Sequence, residues 1–351
     1  MLHRPLVSLG LPVYNGENFI EAAIDSILKQ TFADFELIIS DNASTDRTAA
    51  ICRGYAERDC RVRFYRNERN LGSAPNFNRT FELASGKYFK WMAYDDVLAP
   101  DFLAMSVAAL EADPEAILCY SAVDIIDSRG DVLYTDGNHL PALEGAQASK
   151  RFGSMILPHQ PCWAIFGLIR TEALRGSSLM QSYTGADRAL LVELALRGRF
   201  VHVAKPLFGN RDHPQRYERT SRFPPEGAAA WWDTRRAGEF IPPFWTLYKD
   251  YWRMVTRRVP APAERLRCYG HLLRWLGIKR HLGLLAADFL GIIDPRLFTA
   301  ARAAKRRLLG PSKPLRAPIV VRTQGLRRSR RRNLCSPRER RTRDRVPDLR
   351  A

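Results

Sequence analysis

Strand-like and helix-like segments alternate along residues 6–122 of this 351-residue chain. Short apolar runs bounded by turn residues are typical of buried strands, and they occur at residues 6–11, 35–40, 62–66, 88–93 and 116–122. Between the first two runs, Ile20, Ile24 and Ile27 recur at helical spacing. Alternation of this kind predicts right-handed crossovers, and therefore an α/β fold with a mostly parallel central sheet flanked by helices.

The boundaries of three further helices can be predicted from local signals. Ser44 or Thr45, followed by Asp46, is a typical start for a helix after the second strand. Residues 74–84 are predicted to form a short helix, and Pro100 is placed to begin another that runs through Ala112.

Polar segments follow three of the predicted strands at the point where each strand ends. They read "PVYNGE" after the first strand, "SDNASTD" after the second and "YDD" after the fourth. In open sheets of this kind ligands bind beyond the carboxyl ends of the strands. Carboxylates on that rim can hold a hard divalent cation through oxygen ligands, and a diphosphate is a natural ligand of such a cation.

The composition is that of a soluble globular protein with a sizeable core. Hydrophobic residues make up 46% of the chain, and no apolar run approaches the roughly 20 residues that a membrane-spanning helix needs. No signal peptide is evident at the N-terminus. The six cysteines form no CxxC pair, which argues against a zinc site and a disulfide framework. These features predict a cytoplasmic protein.

The net charge of +18 is concentrated at the C-terminus. Residues 311–351 contain fourteen Lys or Arg against three acidic residues and have little apolar content. The composition of this Arg-rich tail predicts disorder. Its charge would attract RNA or an anionic bilayer surface, although a solvated extension without a dedicated partner explains it equally well.

The N-terminal segments resemble the inverting, nucleotide-sugar-dependent glycosyltransferases of family 2, which have the GT-A fold. The resemblance is carried by "VSLGLPVYNGEN", "ELIISDNASTD", "NERNLGSAPNFN" and "GKYFKWMAYDD", which match in order, spacing and residue type, and it extends over roughly residues 5–215. It implies a GT-A domain at 1–215, with a nucleotide-sugar half at about 1–122 and an acceptor half at about 123–215.

The resemblance also implies which residues contact the nucleotide sugar. Asn42 stands where family members usually have a second aspartate, and an amide both donates and accepts hydrogen bonds whereas a carboxylate only accepts. This difference leaves the nucleobase open. The residues implied in donor binding are Pro12, Val13, Tyr14, Asn15, Glu17, Asp41, Asn42, Asn70, Asn76 and Asp95.

A metal site is implied by the acidic pair Asp95 and Asp96, although Ala93 replaces a third aspartate that is common in the family. The resemblance assigns Mg²⁺ or Mn²⁺ to Asp96, with Asp95 orienting the sugar or supporting the metal. The cation would act as a Lewis acid on the departing diphosphate. His213 is a candidate further ligand, and a surface-loop histidine is the alternative.

The remaining requirement is a general base near the acceptor hydroxyl. Asp187 matches the aspartate at the start of the family's acceptor-side helix, in "YTGADRALLVELALRGRF". An ion pair with Arg188 or a role at the helix start is the alternative interpretation. His159 and Trp163 are candidates for contact with an acceptor sugar, while a tryptophan in such a segment is more often part of the core.

Residues 216–310 are predicted to form a helical extension. Charged residues interrupt its apolar runs, which argues against a bilayer span and favours one of two arrangements: an amphipathic helix on an anionic membrane surface, or a subdomain packed on the catalytic domain.

These observations predict a metal-dependent inverting glycosyltransferase of the cytoplasm or the inner face of the cell membrane, serving surface polysaccharide or glycolipid synthesis. Its expected partners are a nucleoside-diphosphate sugar and a saccharide or lipid-linked acceptor, with no specific nucleic acid. The alternatives are a nucleotidyltransferase and a non-catalytic binder of membranes or nucleic acid. The first is disfavoured because a glycine-rich, basic phosphate loop after strand one is missing.

Overall fold

A computed structural model describes residues 4–158, 161–216 and 225–309. The predicted disordered tail and His159 lie outside these residues. Within them, nine strands form a single sheet. In chain order the strands are β1 (Val7–Val13), β2 (Phe35–Asp41), β3 (Val62–Arg66), β4 (Tyr88–Trp91), β5 (Val97–Leu98), β6 (Ala116–Ile126), β7 (Val132–Asp136), β8 (Leu168–Arg170) and β9 (Arg199–Arg211).

Helices connect these strands and continue beyond the sheet. Numbered along the chain, the described helices are α1 (Ile20–Leu28), α2 (Thr48–Arg58), α3 (Ser73–Glu82), α4 (Phe102–Ala112), α5 (Ala148–Ile156), α6 (Thr171–Arg175), α7 (Ala186–Arg197), α8 (Pro225–Trp232), α9 (Pro243–Arg258), α10 (Pro262–Gly277), α11 (Lys279–Ile293) and α12 (Pro295–Leu309).

The sheet has two halves with different strand directions. The strand order is β3-β2-β1-β4-β8-β6-β9-β5, with β7 paired to β6 at the side. The first four strands are parallel, as predicted. The second half is mixed: β8 is antiparallel to both of its neighbours, whereas β6 and β9 are parallel to each other. The predicted α/β class is therefore confirmed, with the parallel arrangement restricted largely to the first half.

Both faces of the sheet are buried, each against its own hydrophobic core. Phe89 and Trp91 of β4 face the core that also contains α3, α5 and α7. Tyr88 and Met92 point to the opposite face of the sheet and belong to the core that also contains α1 and α4. Because alternate residues of a strand point to opposite faces, a strand buried on both sides is apolar without interruption. This explains the continuous apolar run in the sequence that precedes the two aspartates.

The start of α2 differs from the sequence prediction. The helix begins at Thr48, preceded by Arg47, and neither Ser44 nor Thr45 caps it. Ser44 instead accepts a hydrogen bond from Asn15 N at 2.9 Å. The prediction was wrong because capping residues and loop-bridging residues have the same composition, and here a neighbouring loop supplies the donor.

The C-terminal helices α9 to α11 share a core with the predicted acceptor half. Leu247, Tyr251 and Trp275 pack in the same cluster as Phe152 of α5 and Leu190 of α7. This part of the helical extension is therefore packed on the sheet domain. No helix among the described residues is long and apolar enough to cross a membrane.

Candidate functional site

Three loops meet at the carboxyl edge of β1, β2 and β4. Asn15 N in the first loop donates to Ser44 Oγ at 2.9 Å, and Thr45 N in the second donates back to Asn15 Oδ1 at 2.8 Å. Gly16 lies so close to the third loop that a Cβ on it would be 2.6 Å from Tyr94 Cδ2. The loops predicted to share one rim therefore do so, and a glycine is needed where two of them touch.

The residues of the first loop are not equally accessible. Pro12 and Val13 are buried in the last part of β1, whereas the ring of Tyr14 is 43% exposed at the rim. Glu17 Oε2 accepts a hydrogen bond from Arg47 N at 3.1 Å, which ties the first loop to the start of α2. Tyr14 is therefore the side chain of this loop that is open to stack on a ligand ring.

Asp41 ends β2 with its carboxylate completely buried. Its Oδ1 accepts a hydrogen bond from Ser44 N at 3.1 Å. Its Oδ2 lies 3.3 Å from Arg66 Nε, and no described residue donates a hydrogen bond to it. A buried acceptor with unused capacity is uncommon and is often explained by a ligand or water. Asp41 therefore combines an ion pair with a buried acceptor atom that no described donor uses.

Asn42 is buried, and its amide is fully engaged by the protein. Its Nδ2 donates to Asn70 Oδ1 at 2.8 Å and to Gly72 O at 3.1 Å. Its Oδ1 accepts from Asn67 Nδ2 at 3.0 Å and from Leu71 N at 2.9 Å. An aspartate could not make the two donated bonds. The amide at this position is thus explained by its role in holding the 70–72 loop.

Asn70 and Asn76 belong to the same network. Asn76 is buried, accepts from Ser40 Oγ at 2.7 Å and from Asn67 Nδ2 at 3.0 Å, and donates to Ser40 O at 2.9 Å. Asn70 Oδ1 accepts from Gly72 N at 2.8 Å as well as from Asn42. Both side chains therefore stabilise the rim from within, and direct contact with a donor remains a prediction for them.

The two adjacent aspartates have different surroundings. Asp96 is 2% exposed, and its Oδ1 accepts from Arg211 N at 2.8 Å and from Asn210 Nδ2 at 3.1 Å. These donors continue the pairing of β5 with β9. Burial, together with the negative charge of Asp95, raises the pKa of Asp96 well above its ordinary value. Asp96 therefore joins the turn after β4 to the end of β9.

Asp95 is directed instead towards His213. Its side chain is 16% exposed, and its Oδ2 lies 2.9 Å from His213 Nε2. The histidine is buried, its ring lies 4.7 Å from that of Phe19, and its Nδ1 has no hydrogen-bond partner among the described residues. The Arg211 guanidinium donates to the backbone oxygen of Asp95, at 2.7 Å. His213, which follows β9, is thereby brought beside an acid that follows β4.

These residues fit a divalent cation that is shared with a ligand. No group of three His, Cys, Asp or Glu side chains suited to a metal occurs in the described part of the chain. A carboxylate and an imidazole at 2.9 Å form an open, mixed oxygen and nitrogen set. Mg²⁺ and similar ions are commonly held by one or two carboxylates while phosphates and water complete the coordination.

Asp187 lies in the first turn of α7 with its carboxylate partly exposed. Within the described residues this carboxylate makes no hydrogen bond, and its negative charge acts on the neighbouring Arg188, the partner in the predicted alternative. Tyr183 hydroxyl, one turn earlier, donates to Asp250 at 2.6 Å. Asp187 therefore provides a negative charge in the first turn of α7.

The loop before Asp187 is connected to the rim by contacts that the sequence did not reveal. Met180 and Asn78 of α3 exchange two hydrogen bonds, at 2.9 and 3.0 Å. Ser182 Oγ donates to Asp233 Oδ2 at 3.3 Å, and the backbone of Asp233 packs on Gly72. No sequence motif indicated Asp233, because its contact with Gly72 joins two segments that are about 160 residues apart in sequence. The link places the loop before α7 next to the asparagine network around Asn42.

Trp163, predicted as an acceptor contact or a core residue, is partly buried against the core of α1 and α4. This packing agrees with the core alternative.

The part of the sequence that contains the three rim loops is similar to known proteins. Residues 8–173 match the family model described as "Glycosyl transferase family 2". An uncharacterized glycosyltransferase of Rickettsia typhi is 34% identical over 133 residues, which are 38% of this chain and 41% of the relative. One from Methanocaldococcus jannaschii is 34% identical over 134 residues, covering 38% and 46%. The matched segment thus spans less than half the length of these relatives.

Solved structures show the same fold over most of the chain. Staphylococcus aureus TarS 1–349 in complex with UDP superposes with a TM-score of 0.58 at 15% identity, covering 90% of this chain and 94% of TarS. The same protein in complex with UDP-GlcNAc gives 0.58, with 88% and 93% coverage. The expected GT-A fold is therefore confirmed, including helices beyond the sheet. Residues 8–173 therefore match glycosyltransferase family 2, and most of the chain has the fold of the TarS structures.

Proposed function

We propose that this protein is an inverting glycosyltransferase that moves a sugar from a nucleoside-diphosphate sugar to an acceptor hydroxyl. The observation that carries the proposal is the convergence at one rim of Tyr14, the unused acceptor of Asp41 and the Asp95–His213 pair. An aromatic ring, a carboxylate acceptor and a partial metal site are the groups that a base, a ribose and a diphosphate require. The TarS complexes hold UDP and UDP-GlcNAc on the same fold.

The surroundings of the two aspartates support a change in their predicted roles. We assign the cation to Asp95 and His213, because these two groups face each other and Asp95 is the more exposed acid. Asp96, whose oxygens accept from Asn210 and Arg211, would hold the turn in place. When bound, Mg²⁺ or Mn²⁺ would supply Lewis-acid neutralisation of the leaving diphosphate.

Asp187 is the proposed general base. Its carboxylate accepts no hydrogen bond in the described part of the chain, and it lies at the start of α7, on the side that Asn78 and Asp233 connect to the rim. A base on the acceptor side would take the proton of the attacking hydroxyl, and direct displacement would invert the anomeric carbon. This role agrees with the location implied by the family resemblance.

The same proposal extends to the domain organisation, the class of acceptor and the cellular compartment. Residues 1–215 would form the transferase unit, with the donor bound by about 1–122 and the acceptor by about 123–215. The acceptor would be a saccharide or a lipid-linked sugar of surface polysaccharide or glycolipid synthesis. The described cysteines are free, which suits a reducing cytoplasm.

The test combines donor binding with turnover. A thermal-shift screen of UDP-, GDP- and dTDP-sugars with Mn²⁺ identifies the donor, since a ligand of the native state raises Tm. Asp187→Asn should show the same shift as wild type, while release of nucleoside diphosphate falls by about 10²–10⁴. Asp101→Asn, at an exposed acid paired with Lys205, is the control and should keep wild-type turnover.

Either of two results would contradict the proposal. Wild-type turnover by Asp187→Asn removes the base from the mechanism. Release of pyrophosphate instead of a nucleoside diphosphate would identify a nucleotidyltransferase, because attack would then occur at phosphorus.

A further inference from the structure

Helix α11 is apolar on the side that faces solvent as well as on the side that faces the protein. Leu284 and Leu285 are buried against the rest of the protein. On the opposite side Leu282, Phe289 and Ile293 are 53%, 60% and 64% exposed. A helix that is apolar all round is normally buried all round. The outward apolar surface of α11 is therefore exposed to solvent, although apolar side chains favour burial.

The exposed residues of α11 form one continuous stripe. They recur at intervals of three, four and seven residues, which places them on one face over about three turns. We call this stripe the α11 face; it consists of Leu282, Gly283, Ala286, Phe289, Leu290 and Ile293, all of them exposed.

A second exposed stripe on α10 combines apolar and basic residues. Leu266 and Leu273, seven residues apart, are 72% and 67% exposed. Arg267 and Arg274 directly follow them and are also exposed. Apolar side chains flanked by arginines are typical of helices that lie in the interface of a bilayer.

The charge of this region is strongly positive. Residues 262–309 contain ten Lys or Arg and three acidic residues, and each of the three acids is engaged within the protein. Asp288 is buried and accepts from the backbone N–H groups of Phe244 and Trp245. Glu264 accepts from Ser149 N, and Asp294 from Arg296 N. Together with the exposed positions of Arg267, Arg274 and Arg296, this excess of positive charge makes the surface complementary to an anionic one.

We propose that the α11 face and the Leu266–Leu273 stripe dock on an anionic lipid bilayer. The apolar side chains would enter the boundary between headgroups and acyl chains, while the arginines contact anionic headgroups. A second copy of this chain is a poorer occupant, because its matching surface would bring like charges together. A nucleic acid would use the arginines but would leave the apolar face exposed.

The test measures vesicle binding by the full chain. Flotation with vesicles of phosphatidylcholine containing about one third phosphatidylglycerol should recover the protein, whereas phosphatidylcholine alone should not. Phe289→Ser combined with Ile293→Ser should weaken binding about tenfold or more, because two apolar anchors are lost. Val132→Ser combined with Leu133→Ser is the matched control: these residues are 58% and 55% exposed on β7, and their replacement should leave binding unchanged.

Vesicle binding needs no turnover, so its outcome is independent of the proposed function. Undiminished binding by the Phe289→Ser, Ile293→Ser variant would assign the attraction to the basic tail and overturn the proposal. Failure of the wild type to bind anionic vesicles would do the same. Sedimentation showing a dimer that this variant dissociates would identify a second copy as the occupant, and fluorescence anisotropy showing RNA binding that this variant weakens would identify a nucleic acid.

Discussion

At the scale of single residues, identical side chains acquire different roles from their neighbours. Asp95 and Asp96 are adjacent in sequence, yet one faces an imidazole at the rim and the other accepts backbone and amide donors from β9. The sequence predicted that both aspartates follow a buried strand at the rim, but it did not predict which contacts each of them makes. It depends on β9, which returns to the rim more than 100 residues later.

Asn42 provides a prediction about the amide network. Asn42→Asp would place a carboxylate against the acceptors Asn70 Oδ1 and Gly72 O, so we expect the free energy of unfolding to fall by about 1–3 kcal/mol. The new carboxyl would be buried among acceptors, which raises its pKa in the folded state. The loss should therefore shrink as the pH falls towards 4. Urea denaturation at two pH values measures it, with Asn18→Asp, at an exposed position, as the control.

Equal stability of Asn42→Asp and wild type at neutral pH would show that the donated bonds of Asn42 do not hold the 70–72 loop.

Lys90, on β4, is a fully buried lysine that the proposed reaction does not use. Its Nζ donates to Phe166 O and to Trp91 O, and lies 4.6 Å from the centre of the Phe102 ring. Burial lowers its pKa to about 7, and the charge of Asp96 acts in the opposite direction. Since the unfolded chain binds this proton up to a pKa of about 10.4, the unfolded state holds more protons between these values.

The wild type should therefore gain stability relative to Lys90→Met as the pH rises from 7 to 10, by up to about 1.4 kcal/mol per pH unit. Urea denaturation of both proteins across this range measures the difference. A difference that is constant with pH would show that Lys90 stays charged in the folded state.

At the scale of elements, the site depends on short segments that bridge the two halves of the sheet. β5 pairs with β9, and residues 232–236, from the last residue of α8 into the segment before α9, lie against the 70–72 loop. Thr234 N donates to Leu71 O at 3.2 Å, and Thr234 Oγ1 donates to Asn70 O at 2.9 Å. The periodic elements were predicted from the sequence, whereas these bridges have no periodicity of their own.

Substitution of Gly72 tests the contact between residues 232–236 and the 70–72 loop. The φ of Gly72 is +91°, and a Cβ would lie 2.6 Å from the Asp233 Cα. Gly72→Ala should lower the free energy of unfolding by clearly more than Gly238→Ala, which has a φ of +83° but no atom within 4 Å of its Cβ position. The larger loss has two causes: the contact with Asp233, and a backbone conformation at Gly72 (ψ 171°) that is essentially restricted to glycine. Thermal denaturation compares the two variants, and equal losses would show that the contact can relax.

At the scale of the whole molecule, the sequence was sufficient for the parallel half of the fold and for the location of the rim. The antiparallel β8 was not predicted, because three residues carry too little pattern to distinguish a strand from a loop. The packing of α9 to α11 against α5 and α7 was left open, since an apolar helix face does not specify its partner. The start of α2 was misplaced because Ser44 bonds to Asn15 across 29 residues.

The central claim is that Asp95 and His213 hold a divalent cation together with the diphosphate of the donor. Calorimetric titration of the nucleoside diphosphate that gives the largest thermal shift, with and without Mn²⁺, tests it most directly. We predict that Mn²⁺ tightens binding to the wild type at least about tenfold, equivalent to 1.4 kcal/mol, and that Asp95→Asn abolishes this gain. Metal-independent binding by the wild type, or an undiminished gain in Asp95→Asn, would contradict the account.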